Sequence, residues 1–202
     1  MKLVIAKYNE DISWAKPYNY IIYDKSVINV NLPNYISLPN IGREAHTYLF
    51  HIVNNYSNLD DVTVFTQGNP FDHVPDFLAK INNLIVDGYC SFSHTTKEMN
   101  FDQQSGLDYT EESGHYAERT FKGPKSLWNY CFDKPIKQPI IVYCHAIFAV
   151  TKENILQHSL EIYQKLFNLF GPSFYGKSSE YECIPYELES FWTLLFDRKY
   201  HF

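Results

Sequence analysis

Three polar clusters, each closing a short apolar run, hold the side chains that could do chemistry. Asn9-Glu10-Asp11 follows Leu3 to Ala6, and Asp24-Lys25 follows Tyr20 to Tyr23. Gln67-Gly68-Asn69-Pro70-Phe71-Asp72-His73 follows Val62 to Thr66. Carboxylates and amides of this kind bind hydroxyls and base edges, and Asp72 and His73 are residue types that hold a divalent cation. Short continuous apolar runs read as parallel strands covered on both faces. Ligands of open α/β sheets bind outside the carboxyl ends of such strands. Turn formation alone also places Asn, Asp and Gly at these positions, so it is the joint placement of the clusters that points to a site.

Two further groups complete the candidates. Asn40-Ile41-Gly42-Arg43 precedes a helical pattern, and a helix start offers free N–H groups and a favourable dipole to an anion such as diphosphate. Gly42 would let the anion approach and Arg43 would add a charged donor. Glu187 and Glu189 flank the apolar stripe of the last helix, where a carboxylate of raised pKa can serve as general base. The histidines offer less. His46 and His51 are too far round a helix to share a metal, and His145, inside an apolar run, reads as a core histidine. No Gly-x-Ser-x-Gly elbow occurs, which argues against a serine hydrolase of the α/β type.

The elements that must position these residues follow from periodicity. Residues from Val27 to Asn40, with Pro33 and Pro39, read as loop. Ala45, Tyr48, Leu49, Ile52, Val53 and Tyr56 form the stripe of a helix lying on a sheet. A second helix is expected to start near Pro75 and to bury Phe77, Leu78, Ile81 and Leu84. From Cys90 to Gly123 periodicity is lost, and a mobile loop over the cleft is expected there. Ile140 to Val150 reads as a strand pair or one long strand. A helix capped by Thr151 is expected to run to about Phe170, where Gly171-Pro172 stops it. The last helix places Leu188, Phe191, Trp192 and Leu195 on one face. Together these predict one α/β domain over 1–202, a mostly parallel sheet with helices on both faces.

Composition narrows the function classes. A net charge of −6 disfavours sequence-independent nucleic-acid binding. No apolar run approaches the roughly 18 residues of a membrane span. The four cysteines form no Cys-x-x-Cys pair, and a reducing, cytoplasmic-type compartment is expected.

Val4 to Asp11, Trp14, Asn40-Ile41-Gly42-Arg43-Glu44-Ala45, Tyr48-Leu49, Ile52, Asn55-Tyr56, Val64-Phe65 and Gln67-Gly68 resemble the domain of unknown function 3431 family. Phe148 to Ile155, Tyr163, Glu189, Trp192 and Phe196 extend the resemblance, with Ser190 where a basic residue is expected. A looser similarity connects the order of elements to nucleotide-sugar glycosyltransferases of the GT-A type. Those begin with a strand ending in Tyr-Asn-Glu or similar, where the base binds. They continue through a strand ending in an acidic residue, here Asp24, and an Asn-x-Gly helix start, here Asn40-Ile41-Gly42. A strand ending in Asp-x-Asp then holds a metal and the sugar diphosphate. This chain departs there, with Thr66-Gln67-Gly68-Asn69 at that position, so Mn or Mg would depend on Asp72 and His73. The resemblance implies sugar transfer from a nucleotide-sugar donor to a glycan or protein-linked acceptor. In that scheme Asn9, Glu10, Asp11, Asp24, Asn40, Gly42, Arg43, Gln67, Gly68 and Asn69 surround the donor. Glu189 is the base, and Glu187 is the next candidate. The alternative is a non-catalytic glycan- or nucleotide-binding domain that has lost the metal site.

Overall fold

The structure, a computed structural model, describes residues 1–26, 33–99, 124–133, 135–136, 139–171 and 178–201. The apolar runs are strands: β1 (Lys2–Lys7) and β2 (Tyr20–Asp24), followed by β3 (Tyr35–Ser37). Helix α1 (Arg43–Asn55), β4 (Val62–Gln67), α2 (Phe77–Asn82), β5 (Tyr89–Ser91) and β6 (Thr96–Met99) come next. After α3 (Pro124–Cys131) follow β7 (Ile140–Tyr143), β8 (Phe148–Thr151), α4 (Lys152–Leu156), α5 (Leu160–Phe167) and α6 (Ser178–Phe196).

Six strands form one sheet in the order β3-β2-β1-β4-β8-β5, and β6 and β7 form a separate antiparallel ribbon. Strands β1 to β4 run parallel, whereas β8 is antiparallel to both β4 and β5. From β1 the chain moves outward to β2 and β3, then returns through α1 to β4 on the other side of β1. The β1–β4 junction is therefore the topological switch point, the place where open α/β sheets hold their ligands. Register brings the strand ends level there: Lys7 pairs with Asp24, and Ala6 with Gln67.

Successive strand residues serve opposite faces, as the pleat requires. Val4, Tyr23, Phe65 and Phe148 pack with α1, α3, α5 and α6 in the larger core. Leu3, Ile5, Ile22 and Val64 pack with Ala15, Val74, Phe77 and Ile81 on the other face. Helix α6 is buried almost all round from Ile184 to Phe196, so its apolar stripe is wider than a single face. Trp192 and Phe196 stack on each other within 5.9 Å and pack against Phe148, at the centre of the larger core.

Several elements differ from the sequence expectation. The segment Val27 to Asn40 is not wholly loop, because Tyr35–Ser37 adds to the edge of the sheet beside β2. Three residues between two prolines are too short to show a period. Helix α2 begins at Phe77, so Pro75 precedes its cap Asp76 rather than lying in the first turn. Part of the expected mobile loop is ordered as β5 and β6, and residues 100–123 lie outside the described residues. Ile140 to Val150 is two strands in two different sheets, separated by a turn at Cys144 to Ile147. The helix capped by Thr151 breaks at Gln157–Ser159, where the Gln157 amide and the His158 ring bond the carbonyl of Leu195. Those bonds tie the break to α6 instead of continuing the helix.

Candidate functional site

The β1 and β2 ends place their polar side chains on their own backbone. Asp11 is exposed and accepts from the Ser13 amide (2.9 Å) and hydroxyl (2.8 Å), which hold its carboxyl below the usual range. Glu10 turns back to accept from the Tyr8 N–H at 2.7 Å and lies over Gly68. A Cβ at Gly68 would sit 2.6 Å from the Glu10 carboxylate, so a side chain there would push Glu10 off its bond to Tyr8. Trp14 completes the junction by donating its indole N–H to the Gly68 carbonyl at 2.9 Å. Asp24 is buried; burial pushes its carboxyl up, but bonds from Ser26 and from Lys7 at 3.0 Å outweigh this and hold it low. Asn9 and Asn40 are exposed.

The start of α1 is built by its neighbours. Gly42 and Arg43 both take left-handed backbone (φ 59° and 47°), and no side chain caps the helix. Lys25, buried, donates to the carbonyls of Ile41 (2.6 Å) and Arg43, and burial pushes its ammonium down to about 8. A Cβ on Gly42 would lie 2.4 Å from the Phe170 ring. The Phe170 ring makes a close approach at Gly42 that a side chain would obstruct. Arg43 is exposed; it donates to the Tyr186 hydroxyl at 2.7 Å and lies over that ring.

The β4 and β8 ends differ. The turn before β8 carries left-handed backbone at two non-glycine residues, His145 (φ 75°) and Ala146 (φ 48°). Such a conformation costs on the order of 1–2 kcal/mol per residue and persists only where the surroundings enforce it. Three side chains enforce it here. Glu189 accepts from the His145 N–H at 2.6 Å, Gln67 donates to the His145 carbonyl at 3.3 Å, and the Tyr48 hydroxyl donates to the Ala146 carbonyl at 3.0 Å. Held in this way, the His145 ring lies parallel to that of His73, with centroids 4.2 Å apart and planes 8° apart. His73 is exposed and His145 half-buried. His145 is therefore not the core histidine expected from its apolar surroundings.

Residues 3–202 match the family described as Protein of unknown function (DUF3431). The chain belongs to that family. No curated protein and no solved structure matches it.

In this DUF3431 chain Glu189 sits at the centre of an electrostatic group. Burial pushes its carboxyl up, while the His145 N–H and the Arg43 guanidinium pull it down. Burial likewise raises Glu44; Arg43 and Lys25 oppose that rise and the Glu189 charge adds to it. Cys144 is raised by burial and by Glu189, against Lys97. Glu187 is buried, unlike the half-exposed helical glutamate its place beside an apolar stripe suggests.

Of the sequence candidates, the structure gathers Gln67, His73 and Glu189 around His145, with Arg43 acting on Glu189. Glu10 and Gly68 meet at the switch point, whereas Asp11 and Asp24 are held by local bonds. Asn69 caps the turn Pro70–Asp72 by accepting from the Phe71 N–H at 3.3 Å, and Asp72 is exposed. Among the described residues no three His, Cys, Asp or Glu side chains converge to hold a metal ion. The place of His145 is not readable from sequence: a left-handed turn at a non-glycine residue leaves no compositional signal.

Proposed function

We propose that this DUF3431 chain is a GT-A-like glycosyltransferase that moves a sugar from a nucleoside diphosphate to a hydroxyl of a glycan or protein-linked acceptor. The observation that carries the reading is the gathering of Gln67, His73, His145 and Glu189 beside the β1–β4 switch point, with Arg43 nearby. The order of elements leading there, β1, β2, the Asn40-Ile41-Gly42 helix start and then β4, is the order the resemblance implies. On this reading Asn9, Asp11 and Asp24 lie at the nucleoside end, and Gln67 to His73 frame the sugar.

The chemistry follows from charge. The acceptor oxygen attacks the anomeric carbon, and the bond from that carbon to the phosphate oxygen breaks with its electron pair leaving on diphosphate. Glu189 takes the acceptor proton. A carboxyl raised by burial is better matched to that task than an ordinary glutamate. Its Oε1 holds the His145 N–H, which fixes the side chain and leaves the second oxygen for the acceptor. Arg43 offsets charge developing on the leaving diphosphate.

One observation favours a second reading, a nucleotide- or glycan-binding module without turnover. At the Asp-x-Asp position Gln67 is engaged with the His145 carbonyl and no acidic pair stands there. A panel of nucleotide sugars, assayed for transfer and hydrolysis with and without manganese, separates the two. Turnover of one donor supports the enzyme, binding without turnover supports the module, and neither would remove both.

A further inference from the structure

The pairing of His73 with His145 is the least explained feature of the molecule. Neither ring is needed to fill the core: His73 is exposed and His145 half-buried. Yet the fold maintains two strained residues to hold His145 there, anchored by Glu189, Gln67 and Tyr48. Strain of this kind collects where a side chain must be presented to a ligand.

The geometry narrows what the ligand can be. Two imidazoles that chelate one metal direct their in-plane lone pairs at a common point about 2 Å from each nitrogen. Rings lying 8° from parallel with centroids 4.2 Å apart direct their lone pairs along neighbouring planes that do not meet. A phosphate group suits them better. It offers several oxygens, so N–H edges in two parallel planes can each reach a different one at ordinary hydrogen-bond length. Charge around the pair is mixed. Asp72 adjoins His73 in the chain, and Glu189 lies behind His145. Arg43 acts on Glu189, and Lys97 acts on neighbouring Cys144.

We infer that His73 and His145 together form a metal-independent site for the phosphate oxygens of the ligand. The inference rests on the donor-diphosphate reading above and assigns the charge-bearing end of that ligand to these two rings. The pair and Arg43 do the holding that a divalent cation would otherwise do.

The test is isothermal titration of the full chain with inorganic diphosphate and with a panel of nucleoside diphosphates, once in EDTA and once with manganese. Binding should appear in EDTA and change less than about twofold with manganese. His145→Asn is the informative variant, because Asn tolerates left-handed backbone better than other non-glycine residues. It should weaken binding roughly ten- to a hundredfold, as should His73→Asn, the range for losing a hydrogen bond to a charged group. His73 is exposed, so its variant reports even if His145→Asn fails to fold. Binding that requires manganese, or that survives His73→Asn at full strength, overturns the inference and leaves the donor reading standing. No binding of any diphosphate in either condition overturns both.

Discussion

The two sides of the switch point are built from similar residues and treated differently. On the β1–β2 side, Asp11, Glu10 and Asp24 are each folded back onto a nearby N–H or lysine. They close turns and pin strands, and residues 1–26 carry no left-handed non-glycine residue. On the β4–β8 side the backbone is the strained partner. Gln67, Tyr48 and Glu189 hold His145 and Ala146 in left-handed conformation, and the imidazole is directed outward onto His73. The three carboxylates of one side satisfy turns and a lysine, whereas the side chains of the other hold strained backbone in place. Polarity at a strand end therefore does not identify a functional group.

The comparison is broken most sharply at Glu189. Glu189→Gln keeps an oxygen to accept the His145 N–H while removing the charge, so stability should change by about 1 kcal/mol or less. Sugar transfer should fall about 10²–10⁴-fold, the range for a lost general base. Normal transfer by this variant would move the base elsewhere, with Glu187 next to be tested.

The next effect is on stability and lies in α1, beneath both sides. His46 and His51 are buried, and burial pushes each down to about 4. His51 faces the Tyr23 hydroxyl at 2.8 Å. An unfolded chain protonates both near pH 6.5, whereas the folded chain takes up those protons only near pH 4. Stability is thus complete above about pH 6.5, falls as pH drops through that window, and levels off below it. Each shift corresponds to on the order of 3 kcal/mol. Urea unfolding between about pH 7 and 4.5 measures it, and a flat profile would mean these rings are solvated.

Asp24→Asn sharpens the contrast from the other side. It leaves Lys7 beside a neutral amide in a buried position, which should cost about 1–3 kcal/mol in thermal or chemical unfolding. On the proposed reading, affinity for inorganic diphosphate should move less than about twofold, because Asp24 is assigned to the nucleoside end. The smallest expected effect runs the opposite way. Ala146→Gly removes a left-handed penalty at φ 48° and should gain up to about 1 kcal/mol, reduced by the loss of a buried methyl and by the added freedom of the unfolded chain. A loss of more than about 2 kcal/mol, beyond what the methyl and the chain freedom account for, would show that the turn is not strained.

How much of this was legible in the sequence differs between the same two regions. The strands β1, β2 and β4 were readable because both their faces are covered, and α1 because its stripe repeats at the helical period. Their parallel arrangement predicts Asn9, Asp24 and Gln67 at one rim, and the register sets Asp24 and Gln67 level with Lys7 and Ala6 there. The three-residue β3, the edge strand β5 and the break between α4 and α5 were not readable. Each depends on pairing or side-chain bonds to a distant segment rather than on a local period. The His145 turn is the extreme case. Its conformation is imposed by Gln67, Tyr48 and Glu189, which lie on three other elements, and its own residues look like ordinary strand. Sequence points to a close approach at Gly42, and the structure adds one that sequence cannot show, the Phe170 ring.

Whether a nucleoside diphosphate is held beside the strained turn can be read at the histidines themselves. The chain has 8 of them. Their ring C–H resonances can be followed by NMR while each nucleoside diphosphate of a panel is titrated to about 1 mM. The account predicts saturable shifts at His73 and His145 with one of these ligands, while buried His46 and His51 stay still. Shifts confined to other histidines, or none with any member of the panel, would contradict it.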